Sequence, residues 1–228
     1  MLPTRLVVAA LLCLAACRKP ASIVDPDLSS CIPPGSTFIA GVNLEQLRAS
    51  PAFATASALE PLRNATYALV AADGSRFVIA ARGSLKDATV LAPNLSVMGS
   101  PDFVAAATAQ HRTGRSGAPE LLQHAPGGPL WIVANGSAAL PLSGNARNLN
   151  RLLHDTEYTT VTATIAERVA ITATGVCRTE DAARRIEESA RALASIGRVT
   201  TPIQIRRDGV TVVIQIEVEP ADLAALLR

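Results

Sequence analysis

YTTVTATIAERVAITATGV, residues 158–176, is the stretch that decides the fold. Hydrophobic and polar residues alternate through Tyr158 to Ile165 and again through Val169 to Val176, which is typical of two paired β-strands. A three-residue turn, Ala166 to Arg168, puts like side chains on the same face. One face is then aliphatic and holds Val161, Ala163, Ile165, Val169, Ile171 and Ala173. The other holds Thr160, Thr162, Thr164, Thr172 and Thr174.

This threonine face is the most distinctive surface that the sequence offers. A two-residue turn would mix the two faces, because a slip of one residue inverts every side chain of a strand. A flat, neutral, hydroxyl-bearing sheet can meet a partner, so we name the five threonines as a candidate binding face. The alternative is a face that is simply wet, since threonine favours strands in any case.

Two further hairpins are predicted. Asp73-Gly74 separates the apolar runs 65–72 and 76–82, and this dipeptide favours a two-residue turn that sets Val70 opposite Phe77. Both faces of this hairpin are apolar, so we expect cover on both sides. The last hairpin, residues 203–218, turns at Asp208-Gly209 and has one wet face. That face carries Gln204, Arg206, Thr211, Gln215 and Glu217.

Helices are predicted between these strands. Thr179 is a typical N-cap for a helix that runs to about Ser195, and Ser100-Pro101 begins another helix. Ser50-Pro51 indicates a third start, and Pro220 begins a short closing helix. The order predicts an α+β fold with two β-α-β-β-α-β-like halves, mostly antiparallel sheet, and helices packed on one face. The halves are 35–112 and 130–228, and the Gly- and Pro-rich segment 113–129 is their joint.

The N-terminus has the layout of a secretory signal, with Arg5 followed by an apolar run that is too short to span a bilayer. The run ends at Leu14-Ala15-Ala16-Cys17, which resembles the lipobox of bacterial lipoproteins. The resemblance implies that the signal peptide 1–16 is removed and that Cys17 is lipidated by diacylglycerol and an acyl group such as palmitate. Arg18 in place of Asp implies sorting to the periplasmic face of the outer membrane. The alternative is an ordinary cleaved signal with a chance cysteine. After the cysteine, residues 17–34 show no apolar periodicity, which predicts a flexible tether.

Composition excludes several classes of protein. The 228 residues are 49% hydrophobic and 18% charged, which indicates a globular chain. The net charge is only +2, there is no block of basic residues, and 3% of the residues are aromatic. The composition therefore does not predict a nucleic-acid-binding protein. Once Cys13 and Cys17 are accounted for, Cys31 and Cys177 are left, either bridged in an oxidising compartment or too far apart to join.

The catalytic inventory is sparse. His111, His124 and His154 lack the spacing of metal ligands, and we expect neither a metal nor a cofactor. The run from Gly114 to Ala118 fails the G-x-S-x-G motif, because its last position is alanine. A triad of Ser116, His124 and Asp155 has nothing in its favour beyond residue types. The sequence therefore predicts a protein that is not an enzyme.

The leading hypothesis is a non-catalytic envelope lipoprotein that serves as an interaction or assembly module for an unknown protein partner. The second is a carrier or chaperone for an apolar ligand, held in a groove between sheet and helices. A hydrolase with an unrecognised site is third. The body also loosely resembles uncharacterised bacterial lipoproteins with duplicated α+β units, and that resemblance implies no function.

Overall fold

The structure is a computed structural model that describes residues 24–48, 61–139, 150, 153–196 and 203–219. In these ranges the protein is an α+β protein built on one antiparallel sheet of ten strands. The strands are β1 (Phe38–Asn43), β2 (Ala65–Ala72), β3 (Phe77–Gly83), β4 (Thr89–Ala92), β5 (Leu95–Gly99), β6 (Leu130–Asn135), β7 (Thr156–Ile165), β8 (Val169–Cys177), β9 (Gln204–Asp208) and β10 (Thr211–Val218). The helices are α1 (Pro26–Ser30), α2 (Leu44–Arg48), α3 (Pro101–His111), α4 (Pro119–Leu122) and α5 (Glu180–Ile196).

The sheet is internally symmetric. Its strand order is β4-β5-β3-β2-β1-β6-β7-β8-β10-β9, so the strands of the first half mirror those of the second about the central pair β1–β6. Ala40 lies opposite Ile132 at the middle of this pair. The two central strands also share one pattern of burial along their lengths. This order supports an internal duplication, and the shared central ladder makes the two halves one continuous sheet.

The described halves are not split β-α-β units, because β1 and β2, which α2 connects, are direct antiparallel neighbours, as are β6 and β7. In a split β-α-β unit, the two strands that a helix connects are parallel and a third strand lies between them. Helices do not share one face either. We call the face that carries Trp131 the front face and the other the back face. Buried side chains of α1, α3 and α4 join Trp131 in the main core. Buried side chains of α2 and α5 pack on the back face, against Ala68 and Val212 respectively.

The predicted turns are partly correct. Ile165 lies opposite Val169, which confirms the three-residue turn and both predicted faces of the β7–β8 hairpin. Ala72 lies opposite Phe77, so the first hairpin turns through four residues and the predicted pairing of Val70 with Phe77 is wrong. Asp73 accounts for the longer turn, because its side chain accepts from the backbone N–H of Arg76 at 3.3 Å and closes the loop across those positions.

The helix after β8 begins as predicted. The hydroxyl of Thr179 accepts a hydrogen bond from the backbone N–H of Ala182 at 3.1 Å, which is the N-cap geometry. In the last hairpin, Thr211 lies opposite Asp208, and Gly209 takes a φ of 52° in the turn.

Residues 24–34 are not a flexible tether. Val24, Leu28 and Ile32 recur every four residues, as one face of a helix does, and all three are buried in the main core. Arg82 of β3 donates to both carboxylate oxygens of Asp25, at 2.7 and 2.9 Å. The tether was predicted because residues 17–34 contain four prolines, at positions 20, 26, 33 and 34. Pro26, however, occupies the first turn of α1, where proline is tolerated.

The segment 113–129 is likewise not a loose joint. Leu121 of α4 and Ala125 lie in the main core. The backbone N–H of Gly117 donates to the carbonyl of Ile32 at 2.9 Å, which fastens this segment to the chain that follows α1.

Cys31 and Cys177 are both free and buried, so the bridge is not formed. Cys31 belongs to the main core on the front face, whereas Cys177 packs with Val212 on the back face. The sheet therefore separates the two thiols. Burial raises the pKa of the Cys31 thiol to about 11, and burial also raises that of Cys177.

Several predictions fall outside the described residues. These are the signal peptide 1–16, the lipidation of Cys17, the helix start at Ser50-Pro51 and the closing helix from Pro220.

Candidate binding surface

One row of side chains crosses the whole front face, each directly opposite the next on the neighbouring strand. It runs Val97, Ala80, Leu69, Gly41, Trp131, Thr162, Thr172, Gln215, Gln204. The row is apolar from β5 to β6, and side chains of α1, α3 and α4 pack on this apolar part. From β7 onward the row is polar. The change of character therefore falls at the step from β6 to β7.

The front face of β7, β8, β10 and β9 forms a neutral surface that we call the polar patch. It comprises Thr160, Thr162, Thr164, Thr172, Thr174, Gln204 and Gln215. Thr162 faces Thr172 and Thr160 faces Thr174, so the structure brings all five predicted threonines together. Thr164 and Gln204 are exposed, and the other members are half-buried.

The polar groups of the patch are unpaired within the described ranges. None of the seven side chains donates or accepts a hydrogen bond there. Buried or half-buried polar groups are normally paired with protein or water. The hydroxyls and amides of the patch are therefore available to solvent or to a ligand.

Charges lie at the border of the patch. Arg168 in the β7–β8 turn binds Glu217 at 3.6 Å and Glu219 at 2.9 Å. Arg206 is exposed on the front face of β9, beyond Val213. The interior of the patch thus has no ionisable side chain.

An aromatic pair closes one end of the patch. Tyr158 lies on the front face of β7, two residues before Thr160, and the ring of His124 stacks on it. The ring centroids are 3.7 Å apart and the planes differ by 14°. His124 follows α4, so the segment 113–129 between the two halves contacts the sheet of the second half.

The back face is aliphatic across almost its whole width. Its central row runs Met98, Ile79, Val70, Ala40, Ile132, Val161, Ala173, Ile214, Ile205. Helix α5 packs on the end formed by Ile205 and Ile214. The central members from Val70 to Ala173 are half-buried.

Two clefts are more polar than this row. One of about 720 Å³ is lined by Met98 and Leu85 together with Arg63 and Lys86, among others. Another of about 320 Å³ lies at the end of β8 and β10, beside Arg168, Thr172 and Gln215. Both mix charged and apolar walls, which does not match an apolar ligand.

The three residues considered for a catalytic triad, Ser116, His124 and Asp155, each contact a different part of the protein. Ser116 accepts from the backbone N–H of Ala118 at 3.1 Å, His124 stacks on Tyr158, and Asp155 binds Arg185 at 3.1 Å. His111 lies 2.7 Å from the hydroxyl of Ser30, where it ties α3 to α1. His154 lies 2.8 Å from the carbonyl of Gly136. Across the ranges that the structure describes, no group of three His, Cys, Asp or Glu could hold a metal ion.

Among the described helices, none is both long enough and apolar enough to cross a bilayer.

Sequence reasoning found the threonines but not the whole patch. The wet face of the last hairpin was visible as an alternation, yet β8 and β10 are separated in the chain by α5 and β9. Nothing in the sequence indicates that β10 pairs with β8, and so nothing joins Gln215 to Thr172. The stack of His124 on Tyr158 is equally invisible to a periodicity argument.

The class is therefore an α+β fold with one wide antiparallel sheet whose strand order is internally symmetric. Among solved structures, the chain is similar to TP0453 in its crystal form I, with a TM-score of 0.54 and 12% sequence identity over 91% of this chain and 98% of that chain. At this identity the similarity shows the fold only. No protein-family model matches the sequence, and no curated protein matches it.

Proposed function

We propose that this protein is a membrane-anchored envelope lipoprotein, held through Cys17 at the periplasmic face of the outer membrane, that acts as a non-catalytic interaction module. The observation that carries the proposal is the polar patch, with its unpaired hydroxyl and amide groups. A partner in the envelope that met this patch would satisfy groups that the fold itself leaves open.

The position of α1 supports a close link to the membrane. Val24 is buried in the main core, and seven residue steps separate it from Cys17. Seven extended residues span at most about 25 Å. A lipid on Cys17 therefore holds the folded body near the headgroups, where Arg18 and Lys19 suit anionic lipid.

Intact-mass spectrometry of full-length protein extracted from its host membrane tests the anchor. We expect a chain that begins at Cys17 and carries added acyl mass. A chain cleaved without lipid, or not cleaved, would remove the anchor from the proposal.

Photo-crosslinking tests the interaction role. A benzoylphenylalanine at Thr164, which is exposed in the patch, should capture a specific envelope component in living cells. The same group at Thr89, an exposed threonine on the edge strand β4, is the matched control. Identical products from the two positions would contradict a role for the patch.

A second candidate is a carrier for an apolar ligand, and the half-buried aliphatic row of the back face favours it. Lipid would then co-purify with the protein and be released on organic extraction. Val161→Gln, on the back face, should reduce the bound lipid, whereas Thr160→Gln, its neighbour on the front face, should not. An extract without lipid would exclude this candidate.

A further inference from the structure

The polar patch has a regular layout. Neighbouring strands lie about 4.8 Å apart and side chains on one face of a strand repeat every ~6.7 Å, so Thr160, Thr162, Thr172 and Thr174 form the corners of a grid. Each hydroxyl can donate one hydrogen bond and accept two, and the amides of Gln204 and Gln215 add both kinds of group. A ligand that matches this surface must itself offer many donors and acceptors at short intervals.

Charge narrows the choice of ligand. The interior of the patch is uncharged, and Arg168 at its border is paired with Glu217 and Glu219. Nucleic acids and phosphorylated headgroups bind to clusters of unpaired Lys and Arg, which the patch does not have. The complementary ligand is therefore uncharged where it meets the grid.

A protein partner fits less well. Protein interfaces draw most of their energy from Trp, Tyr, Arg and other large side chains that enter pockets, and Ser and Thr are under-represented among such residues. The patch consists of threonine and glutamine, and Thr172, Gln204 and Gln215 are among the residues that line the cleft at its border. Its aromatic group is at the end, where Tyr158 carries the stacked ring of His124.

These features match a chain of sugar rings. Sugars present hydroxyl groups that both donate and accept, their ring edges and faces carry C–H groups that pack on aromatic rings, and an N-acetyl group pairs with a glutamine amide. We propose that the polar patch binds the N-acetylhexosamine glycan strand of the cell wall. This inference rests on the proposed function, and it names the partner class of the same surface.

The test uses the full-length protein in a detergent without a sugar headgroup, since a glucoside or maltoside would compete. The probe is the linear β-1,4-linked tetramer of N-acetylglucosamine, titrated by isothermal calorimetry. Wild type and Thr89→Val should bind alike. The double variant Thr162→Val and Thr172→Val should bind about tenfold more weakly, because each lost hydrogen bond weakens binding a few-fold.

A second pair of variants separates hydroxyl contacts from effects on folding. Thr162→Ser and Thr172→Ser keep both hydroxyls and should bind like wild type, and urea unfolding of every variant shows whether the sheet is intact. Should the valine variant unfold, Gln215→Met at the next position of the row takes its place and should weaken binding several-fold.

Two results would overturn the inference. One is the absence of binding heat at millimolar tetramer, and the other is equal affinity in folded wild type and folded valine variant. If Thr164 crosslinks to a specific protein while the tetramer does not bind, the interaction role stands and the glycan assignment fails. If neither occurs, the proposed function fails with it.

Discussion

Replacing Gly41 by alanine should destabilise the protein by about 1.5–4.5 kcal/mol, as the sum of overpacking and a lost hydrogen bond. A Cβ at position 41 would lie less than 3.0 Å from three atoms of the Trp131 ring, closer than real Cβ contacts come. Trp131 is fully buried, and its indole N–H donates to the Tyr67 hydroxyl at 2.8 Å. The ring has to move, and that movement disturbs the main core.

The magnitude follows from two contributions. Forcing an extra carbon into a packed core costs about 1–3 kcal/mol. Displacing the indole from Tyr67 removes a half-buried hydrogen bond, which contributes about 0.5–1.5 kcal/mol. Urea unfolding gives the difference directly, from the shift of the midpoint at constant slope.

Gly175→Ala is the matched control, since Gly175 also lies inside a strand. Its Cβ would meet Thr156 at 3.5 Å, an ordinary contact. We expect this variant to stay within about 1 kcal/mol of wild type, because alanine also reduces the entropy of the unfolded chain. The reasoning would be refuted if Gly41→Ala and Gly175→Ala had the same stability. A Trp131→Phe change, which shortens the ring system, should recover part of the loss in the Gly41→Ala background, and additivity of the two changes would show that they do not interact.

Three further predictions concern the segment that the sequence presents as a tether and the two thiols. Leu28→Ala should lower the free energy of unfolding, measured in urea, by about 2–5 kcal/mol, because Leu28 is fully buried. An unchanged free energy of unfolding would instead support the flexible tether. For Asp25, burial raises the pKa, but the hydrogen bonds from Arg82 and from the backbone lower it more, so the net pKa is below the ordinary 3.8. Its contribution to stability is then present above pH 3.8 and is lost as the pH falls through the lowered pKa. In Asp25→Asn, the free energy of unfolding should fall less between about pH 6 and about pH 3 than it does in wild type. An equal fall in the two proteins would show that other groups cause the acid sensitivity. Neither Cys31 nor Cys177 should react with a maleimide at about pH 8 until the protein is unfolded. Peptide mapping locates the label, and rapid labelling of either residue in the native protein would contradict its burial.

Local pattern was enough to predict the β7–β8 hairpin and the start of α5. The alternation in 158–176 gave the strands, the turn and the two faces, because a side-chain period of two is a property of the strand itself. Thr179 gave the start of α5 for the same kind of reason, since an N-cap bond joins residues three apart. The order of strands and helices also predicted two similar halves, although not the strand order that makes the sheet symmetric.

Errors arose where a short-range signal competed with the core. The prolines near α1 favoured an extended tether, but burial of Leu28 and Ile32 against the sheet outweighs that preference. The Asp73-Gly74 turn was predicted from the commonest two-residue form, whereas the chain uses four residues. Cys31 and Cys177 were candidates for pairing only because no other cysteines were left.

The sequence by itself determined which residues share a face of each hairpin, and so it contained the threonines as a set. Only the tertiary structure decided what those faces meet. The pairing of β10 with β8 places Gln215 beside Thr172. The pairings of β1 with β6 and of β6 with β7 make the front face run from Gly41 through Trp131 into Thr162. The physical reason is range: alternation and capping depend on neighbours a few residues apart, whereas strand order depends on hydrophobic burial between segments far apart in the chain.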